Sequence, residues 1–244
     1  MNREELLSVS HLKKYFPIRE GLLSKKTGDV RAVDDISFVI QRGEIFGLVG
    51  ESGCGKSTAG RTILNLLEPT GGRVMFGGTE LYDVENGRKI SPKEMKALRK
   101  EMQIVFQDPY SSLDARMSIG ATMMEGMLKH KLYSKNDAYD RAAELLELCG
   151  LPASSMGKYP HEFSGGQRQR IGIARALSLD PSFVVGDELI AALDVSIKAQ
   201  IINLLQEMIE KFGLTFLFIS HDLSVLPFCK RSVKESCFLV SRTL

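Results

Sequence analysis

An α/β fold, with a parallel sheet flanked by helices and interrupted by a helical insert, is predicted by three features of this chain. Apolar runs of strand length occur in "IFGLVG" (Ile45–Gly50), "SFVVGDE" (Ser182–Glu188) and "LTFLFIS" (Leu214–Ser220), as strands buried on both faces require. Helical spacing follows or precedes each run, and this alternation implies parallel strands joined by helices. From about Asp108 to Ser164 the strand signal fades and apolar residues recur at helical spacing, which marks the insert.

The elements follow in order. "RAVDDISFVI" alternates over its second half, and "QRGE" turns the chain into "IFGLVG". A Gly-rich loop leads to "STAGRTILNLLE", with helical spacing at Ile63, Leu66 and Leu67. Within the insert, "SKNDAYDRAAELLELCGLP" is a helix that Ser134 caps, with Asp137 three residues on and Gly150 and Pro152 closing the end. "GQRQRIGIARALSLDP" is a helix stopped by Pro181. "SIKAQIINLLQEMIEKFG" places Ile197, Ile201, Leu204, Leu205, Met208 and Phe212 on one face and ends at Gly213.

Bulk properties narrow the function. At 244 residues the chain suits one large domain or a core with an inserted subdomain. Its 43% hydrophobic and 25% charged residues disfavour a disordered chain, and a net charge of +2 gives no broad electrostatic case for a nucleic-acid partner. The four cysteines form no C-x-x-C pair, so reduced thiols are expected in place of disulfides or zinc. "MNREELLSVSHLKK" lacks an apolar h-region, and nowhere do about 18 apolar residues run together. A soluble intracellular protein is therefore expected, with docking on a membrane protein left open.

Two loops carry phosphate chemistry. "GESGCGKST" (Gly50–Thr58) fits G-x-x-x-x-G-K-[ST] between a buried strand and a helix. Its glycines let backbone N–H groups turn around phosphate oxygens, and the helix N-terminus adds positive potential. Lys56 reaches the β- and γ-phosphates, and Ser57 offers its hydroxyl to Mg²⁺. The second apolar run ends in Asp187 and Glu188; Asp187 suits the second magnesium anchor and Glu188 the base that polarises a water. "FSGGQRQRIGIARA" then opens a helix with Ser164, Gly165, Gly166 and Gln167, a second anion-binding arrangement suited to another subunit's nucleotide.

With these motifs in this order, the chain strongly resembles the ATP-binding cassette (ABC) family, whose signature is L-S-G-G-Q; Phe163 stands in place of its leucine. The likeness covers nearly the whole chain. It implies a P-loop NTPase (RecA-like) core over residues 1–107 and 165–244, an N-terminal antiparallel β subdomain, and an inserted α-helical subdomain over 108–164. It implies ATP and Mg²⁺ as ligands, with Gly50, Ser52, Gly53, Cys54, Gly55, Lys56, Ser57 and Thr58 forming the phosphate loop. By the same likeness Gln107 contacts Mg²⁺ and water, and Asp187 matches the metal-linked aspartate. Glu188 matches the catalytic glutamate, and His221 the histidine that holds the γ-phosphate. Phe16 (or Tyr15) matches the aromatic that stacks on adenine, and Asp194 falls at the dimer interface.

"LKKYFPIREGLLSKKTGDVRAVDDISF", "FQDPYSSLDARMSI" and "YPHEFSGGQRQRIGIARAL" are similar to bacterial oligopeptide/dipeptide importer ATPases. That group implies a peripheral subunit on the cytoplasmic face of the bacterial inner membrane. Its partners are a second cassette (homo- or heterodimer), transmembrane permease subunits and, indirectly, a substrate-binding protein. The membrane subunit's coupling helix would meet Gln107–Asp114.

Three substitutions and the chain's tail depart from this likeness. Leu189 replaces the proline after the glutamate, Ala191 replaces a serine before "ALD", and Gly186 replaces a bulkier residue, which is expected to weaken packing behind Asp187. Only 23 residues follow His221, and further strands are not expected in this basic, Ser-rich tail, so a truncated or frameshifted end is anticipated. The rival readings are a degenerate cassette that binds ATP but hydrolyses it poorly, and a soluble ABC ATPase acting on DNA or ribosomes. The second calls for coiled coils or paired cassettes that this chain lacks.

Overall fold

Alternation of apolar and polar residues builds the first sheet in the computed structural model, which describes residues 4–20, 24–190, 194–221 and 236–240. The chain divides into two units, residues 1–95 with 219–244, and residues 96–218.

In the first unit, β1 (Glu5–Glu20) and β2 (Lys25–Gln41) pair antiparallel, with Leu7 opposite Ile40 and Val9 opposite Phe38. Ile36, Phe38 and Ile40 are buried, while Asp35, Ser37 and Val39 face solvent, as a strand with one covered face requires. The turn at Gly43 (φ 73°) is held by Glu44, whose carboxylate accepts from Gln41 N at 2.7 Å. It feeds β3 (Ile45–Gly50), whose first five residues are all buried. Then come α1 (Lys56–Ile63), β4 (Gly71–Phe76), β5 (Thr79–Asp83), β6 (Arg88–Lys89) and α2 (Pro92–Leu98). The antiparallel sheet runs in the order β2-β1-β4-β5-β6, which bears out the N-terminal β subdomain.

Helix α1 is shorter than its apolar spacing predicts. Asn65 takes the left-handed region (φ 52°), which asparagine tolerates, and the chain leaves the helix axis there. Leu66 is consequently exposed instead of continuing the apolar stripe.

The second unit holds β7 (Met102–Val105), α3 (Ile119–Lys129), α4 (Lys135–Leu148), α5 (Gly165–Leu177), β8 (Phe183–Asp187), α6 (Val195–Phe212) and most of β9 (Thr215–Ser220). Strands β7 and β8 run parallel from Met102 opposite Phe183 to Val105 opposite Gly186, so their C-terminal ends lie side by side. Next to β8 lies β9, beginning where Thr215 N donates to Ser182 O at 3.1 Å. Among the described residues, 108–164 carry helices and turns and no strand.

Helix α4 starts and stops as its sequence predicts. Ser134 Oγ accepts from Asp137 N, and Gly150 follows the end with φ 75°. On α6, Ile201, Leu204, Leu205 and Met208 are buried, and Gly213 caps the end with φ 63°. One expectation fails in the tail: a tenth strand, β10 (Ser236–Val240), pairs parallel with β3 from Ser236 opposite Phe46 to Val240 opposite Gly50. Its short apolar run is masked in sequence by the basic residues before it, yet suffices once β3 offers its edge.

Candidate functional site

The loop after β3 is shaped by crowding. Gly53 and Gly55 have φ of 78° and 99°, conformations open to glycine at no steric cost. A Cβ at Gly55 would lie 1.7 Å from the carbonyl oxygen of Ala32 on β2, so this position admits no other residue without moving backbone. Helix α1 begins at once, with Gly55 as an N-cap that supplies no side chain, and its N-terminus carries the positive end of the helix dipole.

Lys56, 3% exposed, folds back along this loop. Its ammonium donates to Gly50 O at 2.9 Å and Glu51 O at 2.7 Å, and lies 3.7 Å from Cys54 Sγ. The charge is thus held inside the loop by its own carbonyls, with Cys54 buried beneath it. Ser57 and Thr58 sit half-buried in the first turn of α1; Gly50 closes β3, and Ser52 lies exposed at the loop's outer side.

A second constellation lies in the other unit, at the ends of β7 and β8. Asp187 is the last residue of β8 and is wholly buried. Glu188 follows, and Gln107, two residues past β7, donates from Nε2 to Glu188 Oε2 at 2.7 Å. This bond orients one carboxylate oxygen, as a positioned base requires.

Glu188 itself has φ 48°, a left-handed conformation that costs about 1–2 kcal/mol for a residue with a Cβ. The strain is offset by its neighbour: Leu189 is 1% exposed, and burying a leucine contributes about 1.5–3 kcal/mol. Leu189 lies over Gly186, where it fills the space that a larger residue would take. The expected packing defect behind Asp187 is therefore absent: β8 is buried along its whole length. Ala191 lies outside the described residues; Asp194 is exposed and stands as N-cap of α6.

Ser164, Gly165, Gly166 and Gln167 open α5, but two of them are engaged with each other. Ser164 Oγ accepts from Gln167 N at 3.4 Å, and Ser164 N donates to Gln167 Oε1 at 3.0 Å, a reciprocal capping box. The capping box fixes the helix start, and Gly165 and Gly166 present their first-turn N–H groups without intrahelical acceptors. Phe163 is buried behind the loop. Sequence reasoning missed Tyr110, which lies against Gly165 and has the Arg168 guanidinium 4.2 Å from its ring centre. Nothing in the spacing from 110 to 168 announces that contact.

The two aromatic candidates on β1 differ. Tyr15 is tied down: its hydroxyl donates to Asp34, a bond that holds the phenol above its usual range and the Asp34 carboxyl below. Phe16 is 38% exposed, with Lys14 Nζ 4.7 Å from its ring centre, and offers an open face. His221 is exposed and follows β9 directly.

Comparison with known proteins gives the family context. The family model described as "ABC transporter" matches residues 33–191. The oligopeptide transport ATP-binding protein AppF of Bacillus subtilis is 51% identical over 225 residues, covering 92% of this chain and 67% of that protein. OppF of the same organism, also an oligopeptide transport ATP-binding protein, is 51% identical over 226 residues, or 92% of this chain and 70% of its own length. Among solved structures, the dimeric post-hydrolysis state of the ATP-binding cassette MJ0796, bound to ADP and Pi, superposes with a TM-score of 0.79 at 25% identity. That match covers 97% of both chains.

Proposed function

Because this chain belongs to the ABC transporter family, we propose that it is the ATP-hydrolysing subunit of an importer for oligopeptides or dipeptides, with Glu188 as its general base. The observation that carries the reading is the Gln107–Glu188 hydrogen bond of 2.7 Å, which holds a carboxylate in one orientation at the end of a buried strand. It disfavours a degenerate cassette, in which nothing would need to aim that carboxylate.

Binding falls to the residues of the first loop. The N–H groups around Gly53 and Gly55, the α1 N-terminus and the Lys56 ammonium receive the phosphates, with Gly50, Ser52, Cys54 and Thr58 completing the loop. Phe16 stacks on adenine. Ser164, Gly165, Gly166 and Gln167 serve the nucleotide of the opposite cassette, so the working unit is a dimer, with itself or with a related chain.

Ser57, Gln107 and Asp187 would hold Mg²⁺. A hydroxyl, an amide and a carboxylate are hard oxygen donors suited to that ion, which takes its remaining ligands from phosphates and water. When bound, Mg²⁺ neutralises charge developing on the phosphate oxygens.

Glu188 accepts a proton from the attacking water, whose oxygen forms the new bond to the γ-phosphorus while the bond to the β,γ-bridging oxygen breaks. ADP and phosphate leave, and His221 steadies the γ-phosphate throughout. Among the described residues no helix is long and apolar enough to cross a membrane. The cargo in this reading passes through separate permease subunits, fed by a substrate-binding protein and docked on residues 107–114, at the cytoplasmic face of the inner membrane. In this reading residues 108–164 form the helical subdomain and the remainder the nucleotide-binding core.

The test is Mg-ATP hydrolysis over a protein concentration series, beside Glu188→Gln. Turnover that rises faster than linearly and falls about 10²–10⁴-fold in the variant supports a dimerising motor with this base. Full activity in the variant refutes the assignment.

A further inference from the structure

We propose that Leu189, seated against Gly186, is a positioning residue that fixes the Glu188 carboxylate for hydrolysis, and that position 186 must be glycine while position 189 is leucine. The proposal rests on the reading of Glu188 as general base.

The geometry is local and specific. A Cβ at Gly186 would lie 2.7 Å from Leu189 Cδ1, 3.0 Å from Leu189 Cγ and 2.8 Å from Phe216 Cε1. Cβ atoms essentially never make contacts shorter than 3.0 Å, so the missing side chain is what lets Leu189 lie there. The left-handed turn at Glu188 (φ 48°) reverses the chain and drops Leu189 back over the strand it has just left. Phe216 on β9 is itself 2% exposed and bounds the seat from the neighbouring strand.

Glu188 is thus held at two points. Leu189 anchors its backbone by burial on the C-terminal side, and Gln107 Nε2 holds its carboxylate at 2.7 Å. Without the anchor, the strained φ has no local compensation, and the turn is free to relax to an ordinary conformation. That would swing the carboxylate away from Gln107. Two residues that look like separate weaknesses in the sequence are each other's complement.

Gly186→Ala adds one methyl group into these contacts and forces either Leu189 or the turn to move. The expected result is a kcat lower by about tenfold or more, because small misplacements of a reacting group are costly in rate, with ATP affinity measured by calorimetry unchanged. Leu189→Ala removes the anchor without adding bulk and also lowers kcat at unchanged ATP affinity; it carries the test alone if Gly186→Ala does not fold. The double variant loses the clash with Leu189 and keeps only the Phe216 Cε1 contact at 2.8 Å, so its kcat loss is smaller than the product of the two single losses. A simple packing role predicts instead that the kcat losses track the unfolding midpoint and that ATP affinity falls with it.

Wild-type kcat in either single variant, or a double variant in which the two losses multiply in full, overturns the proposal. Glu188→Gln measured alongside separates the two levels. If it keeps its activity, the general-base reading fails; if it is inactive while Gly186→Ala is not, only the role of Leu189 fails.

Discussion

Gly53→Ala and Gly55→Ala, compared as a pair, measure how tightly the phosphate loop is built. Both glycines have positive φ, so alanine at either costs about 1–2 kcal/mol in backbone strain. Around Gly53 nothing lies within 4 Å of the added methyl, and that strain is the whole effect. At Gly55 the methyl would sit 1.7 Å from Ala32 O and 2.9 Å from Ala32 C. The loop and β2 must then separate by about 1.3 Å to bring the first distance from 1.7 to 3.0 Å. Overpacking of this kind adds about 1–3 kcal/mol, so Gly55→Ala loses about 2–5 kcal/mol in all. The chain has no tryptophan, so urea unfolding is followed by circular dichroism. ATP binding by calorimetry supplies the functional arm: moving the loop amides weakens affinity at least about tenfold in Gly55→Ala, equivalent to about 1.4 kcal/mol. Gly53→Ala retains most of its affinity. Equal stability losses in the two variants, or tight ATP binding by Gly55→Ala, refute the claim that contact with β2 shapes the loop.

Two further predictions concern the helical region. Ser134→Ala removes the Oγ that accepts from Asp137 N at the head of α4 and is expected to cost about 1 kcal/mol, read as a lowered urea midpoint with ATP binding intact. Cys149 is wholly buried, and burial pushes its thiol up to about 12, so the thiolate is scarce at pH 8. Iodoacetamide at that pH is therefore expected to leave Cys149 unlabelled in the native protein and to label it in urea, as read by peptide mass spectrometry.

The apolar runs of β3, β8 and β9 were legible because strands buried on both faces need no alternation, and α4 was legible because Ser134 and Gly150 mark its ends. The end of α1 was not: Leu66 and Leu67 continue its spacing, and only the backbone reveals that Asn65 turns left-handed. Strand β10 was hidden by its brevity and by the basic residues preceding it. At the candidate site the motifs named their residues, because phosphate chemistry restricts which types can stand at each spacing. Sequence could not choose between Tyr15 and Phe16, since the choice depends on Asp34, nineteen residues on, engaging the tyrosine hydroxyl. Nor could it pair Gly186 with Leu189, because three residues along a strand place side chains on opposite faces. Only the reversal at Glu188 brings them together.

That reversal shows how one backbone conformation serves two purposes in this protein. Gly53 and Gly55, in the loop after β3, and Glu188, directly after β8, all have positive φ beyond a buried strand. After β3 the position is filled by glycine, because the chemistry there belongs to backbone N–H groups and the Ala32 carbonyl leaves no room for a Cβ. After β8 the chemistry belongs to a side chain, so glycine would remove the group that is needed. The strain of a left-handed carboxylate residue must then be met by something else. In this chain it is met by removing the side chain two positions before the glutamate and burying the one immediately after it. The permissive glycine has moved from the strained residue to the surface that receives its neighbour. Hence substitutions at Gly186 and Leu189 should be coupled, whereas Gly53 and Gly55 answer for their own conformations singly.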